Sequence, residues 1–151
     1  MTDAPGDMLW KVIAGELPLP PVLSLLGWDV VSAEQGRVRA RFLGRKDFYN
    51  PGGFVQGGIL SAMLDGVMGA AAASLLGAGE LITTLEMKTS YMQSVRDVPL
   101  IAEGWVRQRG GSVVFMEGAL TAEDGSLVAT ATATGRVVRP PSPAAGGGEV
   151  L

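Results

Sequence analysis

The chain has 151 residues, 47% of them hydrophobic and 18% charged, which is the length and balance of one globular domain with its own core. Its net charge of −3 gives no overall attraction to nucleic acid or to an anionic membrane, so neither is expected as a partner. There is no histidine and no cysteine, which excludes disulfides, thiolate nucleophiles, Ser-His-Asp and Cys-His relays and the usual zinc ligand sets. Any catalysis falls to carboxylates, amides, hydroxyls, Tyr, Lys, Arg and backbone groups, with no metal and no cofactor expected.

The opening stretch, MTDAPGDMLWKVIAGELPLPP, carries acids and prolines where a secretion signal carries basic and then unbroken apolar residues, so the expected location is cytoplasmic. Residues 7–17 have the pattern of an amphipathic helix ended by Pro18, Pro20 and Pro21. Residues 1–20 are therefore expected to be an N-terminal helix and a proline-rich connection, ahead of a single domain over 21–139. In GRVRARFLG, Val38, Ala40 and Phe42 alternate with Arg37, Arg39 and Arg41. That period of two is a half-buried strand.

Next comes NPGGFVQGGILSAMLDG, from Asn50 to Gly66, in which a glycine-rich loop runs into a long apolar segment. Residues 59–76 have the length of a membrane span. However, Asp65 would cost roughly 2.5–3.5 kcal/mol at its centre, and Ser61, Gly66, Gly69 and Ser74 dilute the hydrophobicity. The segment reads instead as a helix buried on nearly every side by its own protein. Asp65 inside it needs water, a hydrogen bond or a task to account for its charge.

Beyond the helix, ITTLEMKTSYM sets Leu85, Met87, Thr89 and Tyr91 against Thr84, Glu86, Lys88 and Ser90. LIAEGWVRQR and SVVFMEGALTA follow, with a hairpin signal at Gly110-Gly111. In SLVATATATGRVV, Leu127, Ala129, Ala131, Ala133 and Gly135 share one face, small enough for a helix to lie close. Residues 140–151, rich in proline and glycine, read as a flexible tail. Two strands before the long helix and four after it give an α+β layout, a curved antiparallel sheet wrapped around a central helix.

This order of elements resembles the hotdog fold. N-x5-QGG-x6-D, from Asn50 to Asp65, is similar to the N-x5-HGG-x6-D signature of the PaaI-like acyl-CoA thioesterases. The segment from Thr84 to Met92 looks like that family's strand after the central helix. The resemblance runs roughly from Leu25 to Val138. It departs at Gln56, where the family usually has histidine; glutamine donates and accepts hydrogen bonds but carries no charge near neutral pH.

Gly57 and Gly58 fall at the start of the helix, where backbone N–H groups lack intrahelical partners and suit a developing oxyanion. The plain alternative is a tight turn or close helix–sheet contact. Asn50, which can also simply start a turn, has by resemblance the role of donating to the thioester carbonyl, with Gln56 beside it. Asp65 is either a paired structural carboxylate or, by resemblance, a general base or nucleophile. Thr84 is either a strand threonine or, as at the matching family position, a holder of the attacking water. CoA phosphates call for local cations, for which Lys88, Arg96, Arg107 and Arg109 are the candidates. An acyl pocket would draw on Met63, Leu64 and Met68, which are core residues first.

The resemblance thus implies hydrolysis of an acyl- or aryl-CoA thioester. A non-catalytic acyl-CoA binder is the alternative. A hotdog dehydratase usually depends on a histidine that this chain lacks. Gly57 and Asp65 are eight residues apart, about 12 Å along a helix axis at 1.5 Å per residue. One reaction centre meets both only if two subunits share it, so a dimer or dimer of dimers is expected.

Overall fold

The structure, a computed structural model, describes residues 5–141; except for Pro140 and Pro141, the expected tail lies outside the described residues. Six strands make one sheet: β1 (Asp29–Glu34), β2 (Arg37–Leu43), β3 (Leu81–Tyr91), β4 (Pro99–Gly110), β5 (Val113–Ala122) and β6 (Leu127–Val138). All pairings are antiparallel, in the order β1-β2-β4-β5-β6-β3. The helices are α1 (Asp7–Ile13), α2 (Pro21–Leu26) and α3 (Gly57–Ala73). This is the expected α+β arrangement of the hotdog fold.

The alternating residues of β2 behave as their period predicts: Val38, Ala40 and Phe42 are fully buried, and the arginines between them are exposed. Leu100 and Ala102 of β4, Val114, Met116 and Leu120 of β5, and Ala129, Ala131 and Ala133 of β6 extend that face. α3 lies across it with Leu60, Met63, Leu64, Val67 and Met68 buried. Each large side chain so buried contributes about 1.5–3 kcal/mol relative to exposure. The closest approach is at paired glycines in mid-sheet, Gly104 opposite Gly118. A Cβ on Gly104 would stand 2.6 Å from the Val67 carbonyl, and one on Gly118 3.1 Å from the Met68 side chain. The small inner face foreseen on β6 therefore continues into β4 and β5.

Four expectations need correction. The N-terminal helix stops at Ile13, well before the prolines, because Gly15 has φ of 76°, a left-handed turn that ends helices. Pro21 begins α2 rather than ending anything, since its missing N–H is not needed at a first helical position. Thr84 shares a face with Met87, Thr89 and Tyr91: Thr84 pairs with Gly135 and Glu86 with Thr134, so Leu85 is an extra, bulged residue that reverses the alternation. A second irregularity, where Leu120 pairs with Ala129 but Thr121 with Leu127, buries Val128 completely and leaves Leu127 41% exposed.

α3 is also less enclosed than its sequence suggests. Ser61, Ala62, Asp65, Gly66, Gly69 and Ala73 remain half-buried along one side. Among the described residues no helix is long and apolar enough to cross a membrane.

Candidate active site

The loop before α3 is built on Asn50. Its carbonyl accepts from the Gly53 N–H at 2.9 Å, and its Oδ1 accepts from the Gly52 N–H at 2.9 Å and the Phe54 N–H at 3.3 Å. Two N–H donors can be met only by the amide oxygen. Its Nδ2 group therefore points away from them, and no side-chain acceptor among the described residues takes it. Starting a turn and presenting a donor are compatible here.

Gln56 caps α3 with its backbone. Its N–H donates to the Phe48 carbonyl at 2.8 Å and its own carbonyl accepts from Ile59 at 2.9 Å, while its exposed side chain makes no capping bond. The N–H groups of Gly57 and Gly58 are left at the helix N-terminus with no acceptor among the described residues. The helix dipole stands behind them.

Position 57 is also close-packed: a Cβ there would come 3.2 Å from the Tyr91 ring, a side chain that would have to shift by a few tenths of an ångström to admit it. The Tyr91 hydroxyl donates to the Gly57 carbonyl at 3.0 Å and lies against Ser61 Oγ, which donates to Thr89 Oγ1 at 3.0 Å. The sequence reading did not single out Tyr91 or Ser61. The signal was present in the phase of Tyr91 with Met87 and Thr89, which points it at α3.

Two turns further along α3 stands Asp65, half-buried. Thr84 Oγ1 donates to its Oδ1 at 2.8 Å, a contact that exists because the Leu85 bulge turns Thr84 inward. No ion pair among the described residues involves Asp65, so a hydroxyl and solvent account for its charge. Both Asp65 and Thr84 stand on the wall of a cavity of about 560 Å³ between α3, α1, α2 and the start of β3. Met63, Leu64 and Met68 do not line it; they are fully buried against the sheet.

The expected cations are scattered. Arg96 lies over the Phe54 ring at 4.6 Å, beside the loop that carries Asn50. Lys88 is exposed on the strand face opposite Met87. Arg107 pairs with Glu117 at 3.3 Å. Arg109 donates to the Leu75 carbonyl and pairs with Glu80 at 3.3 Å, just past the C-terminal end of α3. Gly57 is at the opposite end of that 17-residue helix, about 24 Å away at 1.5 Å per residue. Within one chain, Arg107 and Arg109 do not gather with Gly57.

Comparisons with known proteins agree on the family and the fold. The model of the Thioesterase superfamily matches residues 52–129, a span that includes Gly57, Asp65 and Thr84. A phenylacetic acid degradation-related protein of Ralstonia eutropha JMP134 is 33% identical, with a TM-score of 0.81 over 85% of this chain and 98% of that one. A Streptococcus mutans UA159 protein solved with acetyl-CoA bound is 26% identical, with a TM-score of 0.69 over 74% and 89%. The PaaI protein of E. coli, at 15% identity, shares the fold, with a TM-score of 0.78 over 89% and 96%. With the sheet wrapped around α3 and the family match around the glycine pair and Asp65, the chain belongs to the thioesterase superfamily, as a PaaI-like hotdog protein.

Proposed function

We propose that the chain hydrolyses an acyl- or aryl-CoA thioester to the free acid and CoA. The observation that carries this reading is the Asp65–Thr84 pair opening on a large cavity in a member of the thioesterase superfamily. In this mechanism the thioester carbonyl oxygen is held by the Gly57 N–H and the Asn50 amide, whose donors have no acceptor among the described residues. Thr84 engages one oxygen of Asp65, and the other takes a proton from water as its oxygen attacks the carbonyl carbon. The carbon–sulfur bond then breaks and the CoA thiolate receives the proton. Because Gly57 and Asp65 are about 12 Å apart on one helix, the donors come from one subunit and the carboxylate from another, making the active unit a dimer or dimer of dimers.

A second reading, an acyl-CoA binder without turnover, is favoured by Gln56, which supplies no charged group near neutral pH where the family signature has histidine. Free thiol release from acetyl-, medium-chain, long-chain and phenylacetyl-CoA separates the two. Release from at least one substrate supports hydrolysis. Saturable binding without release from any of them overturns it in favour of the binder.

A further inference from the structure

Three hydroxyls, those of Ser61, Thr89 and Tyr91, lie together between α3 and the end of β3, and neither the proposed chemistry nor the core uses them. Ser61 is one turn beyond Gly57 on α3. Thr89 and Tyr91 are alternate residues of β3 on the side that faces the helix, and the backbone of Tyr91 is fixed by its pairing with Ala129 of β6. From that fixed strand the Tyr91 hydroxyl reaches the Gly57 carbonyl at 3.0 Å. A carbonyl has no hydrogen to give, so Tyr91 is the donor. In a regular helix the carbonyl of residue 57 also accepts the N–H of residue 61, and the phenol takes its second lone pair.

That carbonyl shares one planar peptide unit with the Gly58 N–H, which points the opposite way, toward the helix N-terminus. Holding one end of the unit aims the other. The hold matters here because two successive glycines have the greatest backbone freedom, and a Cβ on Gly58 would meet nothing within 4 Å, so no packing at that residue confines it. Among the described residues, Tyr91 supplies the side-chain bond to this unit. The bond has an electronic effect as well: donation to a carbonyl polarises its amide and strengthens the N–H as a donor. A group that stabilises a developing oxyanion must be in place before the charge appears, and a misplacement of about 1 Å can cost about 100-fold in rate.

We propose that Tyr91 is a positioning residue: its hydroxyl, steadied by Ser61, aligns and polarises the Gly57–Gly58 peptide so that the Gly58 N–H joins the Gly57 N–H in holding the thioester carbonyl oxygen. Ser61 acts through Tyr91 and not on the substrate. The proposal rests on the reading that the N-terminus of α3 receives that oxygen, and no proton of the reaction passes through Tyr91.

The test uses the full chain with Tyr91→Phe, which keeps the ring against Gly57 and removes the hydroxyl, and with Ser61→Ala. Glycine-selective nitrogen-15 labelling reads the Gly58 amide, assigned as the signal lost in Gly58→Ala, a change that the open space there admits. In Tyr91→Phe the Gly58 amide proton should move upfield. On the thioester that the wild type hydrolyses fastest, kcat should fall about tenfold or more with KM nearly unchanged, the pattern of an interaction made only in the transition state. Ser61→Ala should lower kcat in the same way and add nothing in the Tyr91→Phe background, because the hydroxyl it acts through is already gone. A tyrosine that merely ties strand to helix would lower the melting temperature and leave kcat and the Gly58 amide unmoved. That result, or losses from the two variants that add, overturns the proposal. Should Tyr91→Phe fail to fold, Ser61→Ala decides by its own kcat and Gly58 signal. If the wild type releases no thiol from any thioester, the hydrolytic reading falls alone, and binding reads the same donors. The wild type should then prefer octanoyl-CoA to S-octyl-CoA, which has no carbonyl, and Tyr91→Phe should lose most of that preference; an equal preference in both proteins overturns the positioning role.

Discussion

Asp65 has one oxygen engaged by Thr84 and the other open, and asparagine at this position isolates its charge from its shape. The asparagine carbonyl still accepts from Thr84, so Asp65→Asn should melt as the wild type does. It should nevertheless lose about 100- to 10,000-fold in kcat, the usual cost of a missing general base, while CoA still binds. Near-normal thiol release from this variant would make the carboxylate structural. Thr84 also shows what the sequence could and could not convey at this scale. Its identity and spacing from Asp65 were plain. Its direction was not, because one bulged residue, Leu85, reverses which side of β3 faces α3, and a bulge leaves no mark in a run of strand-forming residues. Tyr91, in phase with Met87, could have been placed at the helix N-terminus from the pattern alone.

At the scale of elements, the β4–β5 glycine pair fixes how close α3 lies to the sheet. Gly104→Ala puts a methyl 2.6 Å from backbone atoms of Val67, which cannot rotate away, and should cost about 1–3 kcal/mol. Gly118→Ala meets first the flexible Met68 side chain at 3.1 Å and should cost less. Urea midpoints at unchanged m-value measure both, and the reverse order would contradict the backbone-contact account. The start of β3 is held by Glu80, whose carboxyl is lowered from its ordinary range by the Gly77 N–H, with Arg139 and Arg109 adding to the effect. A folded-state value below the unfolded one means that this carboxylate stabilises the fold above its ordinary range of about 4.3 and loses that contribution as pH falls through the folded value. Glu80→Gln should therefore melt below the wild type at neutral pH, and the two curves should converge in strong acid; a constant gap would show that charge is not the cause. Strand and helix patterns were legible here because burial on one face imposes a period. The turn that ends α1 and the helix begun by Pro21 were not, because proline both stops and starts helices and only position in three dimensions decides which. The cavity under α1 was equally hidden, since it depends on the meeting of segments separated in sequence, the one ending at Trp28 and the one beginning at Asp65.

For the whole molecule, the spacing of Gly57 and Asp65 makes assembly part of the proposed chemistry. Gly57→Pro removes the N–H at the first helical position, where proline is tolerated, and Gln56 before it already has φ of −58° and ψ of 133°, the extended form a residue ahead of proline adopts. When the inactive Gly57→Pro and Asp65→Asn proteins are unfolded and refolded together, half the dimers should be mixed, each with one intact and one doubly broken site. About a quarter of wild-type activity should return if subunits pair at random. With mixed dimers demonstrated and no activity regained, the shared site would be untenable. The sheet supplies an independent view of the same question. Its two edges are unequal: β1 is six residues long and bulged, whereas β3 is eleven and, among the described residues, pairs only with β6. Along an edge strand, alternate amides face the neighbour and the solvent. Deuterium labelling of β3 should therefore read as a stripe, slow and fast exchange at every second residue on either side of the Leu85 bulge, in any state where the chain is alone. Uniformly slow exchange along its length would instead show that another surface covers that edge.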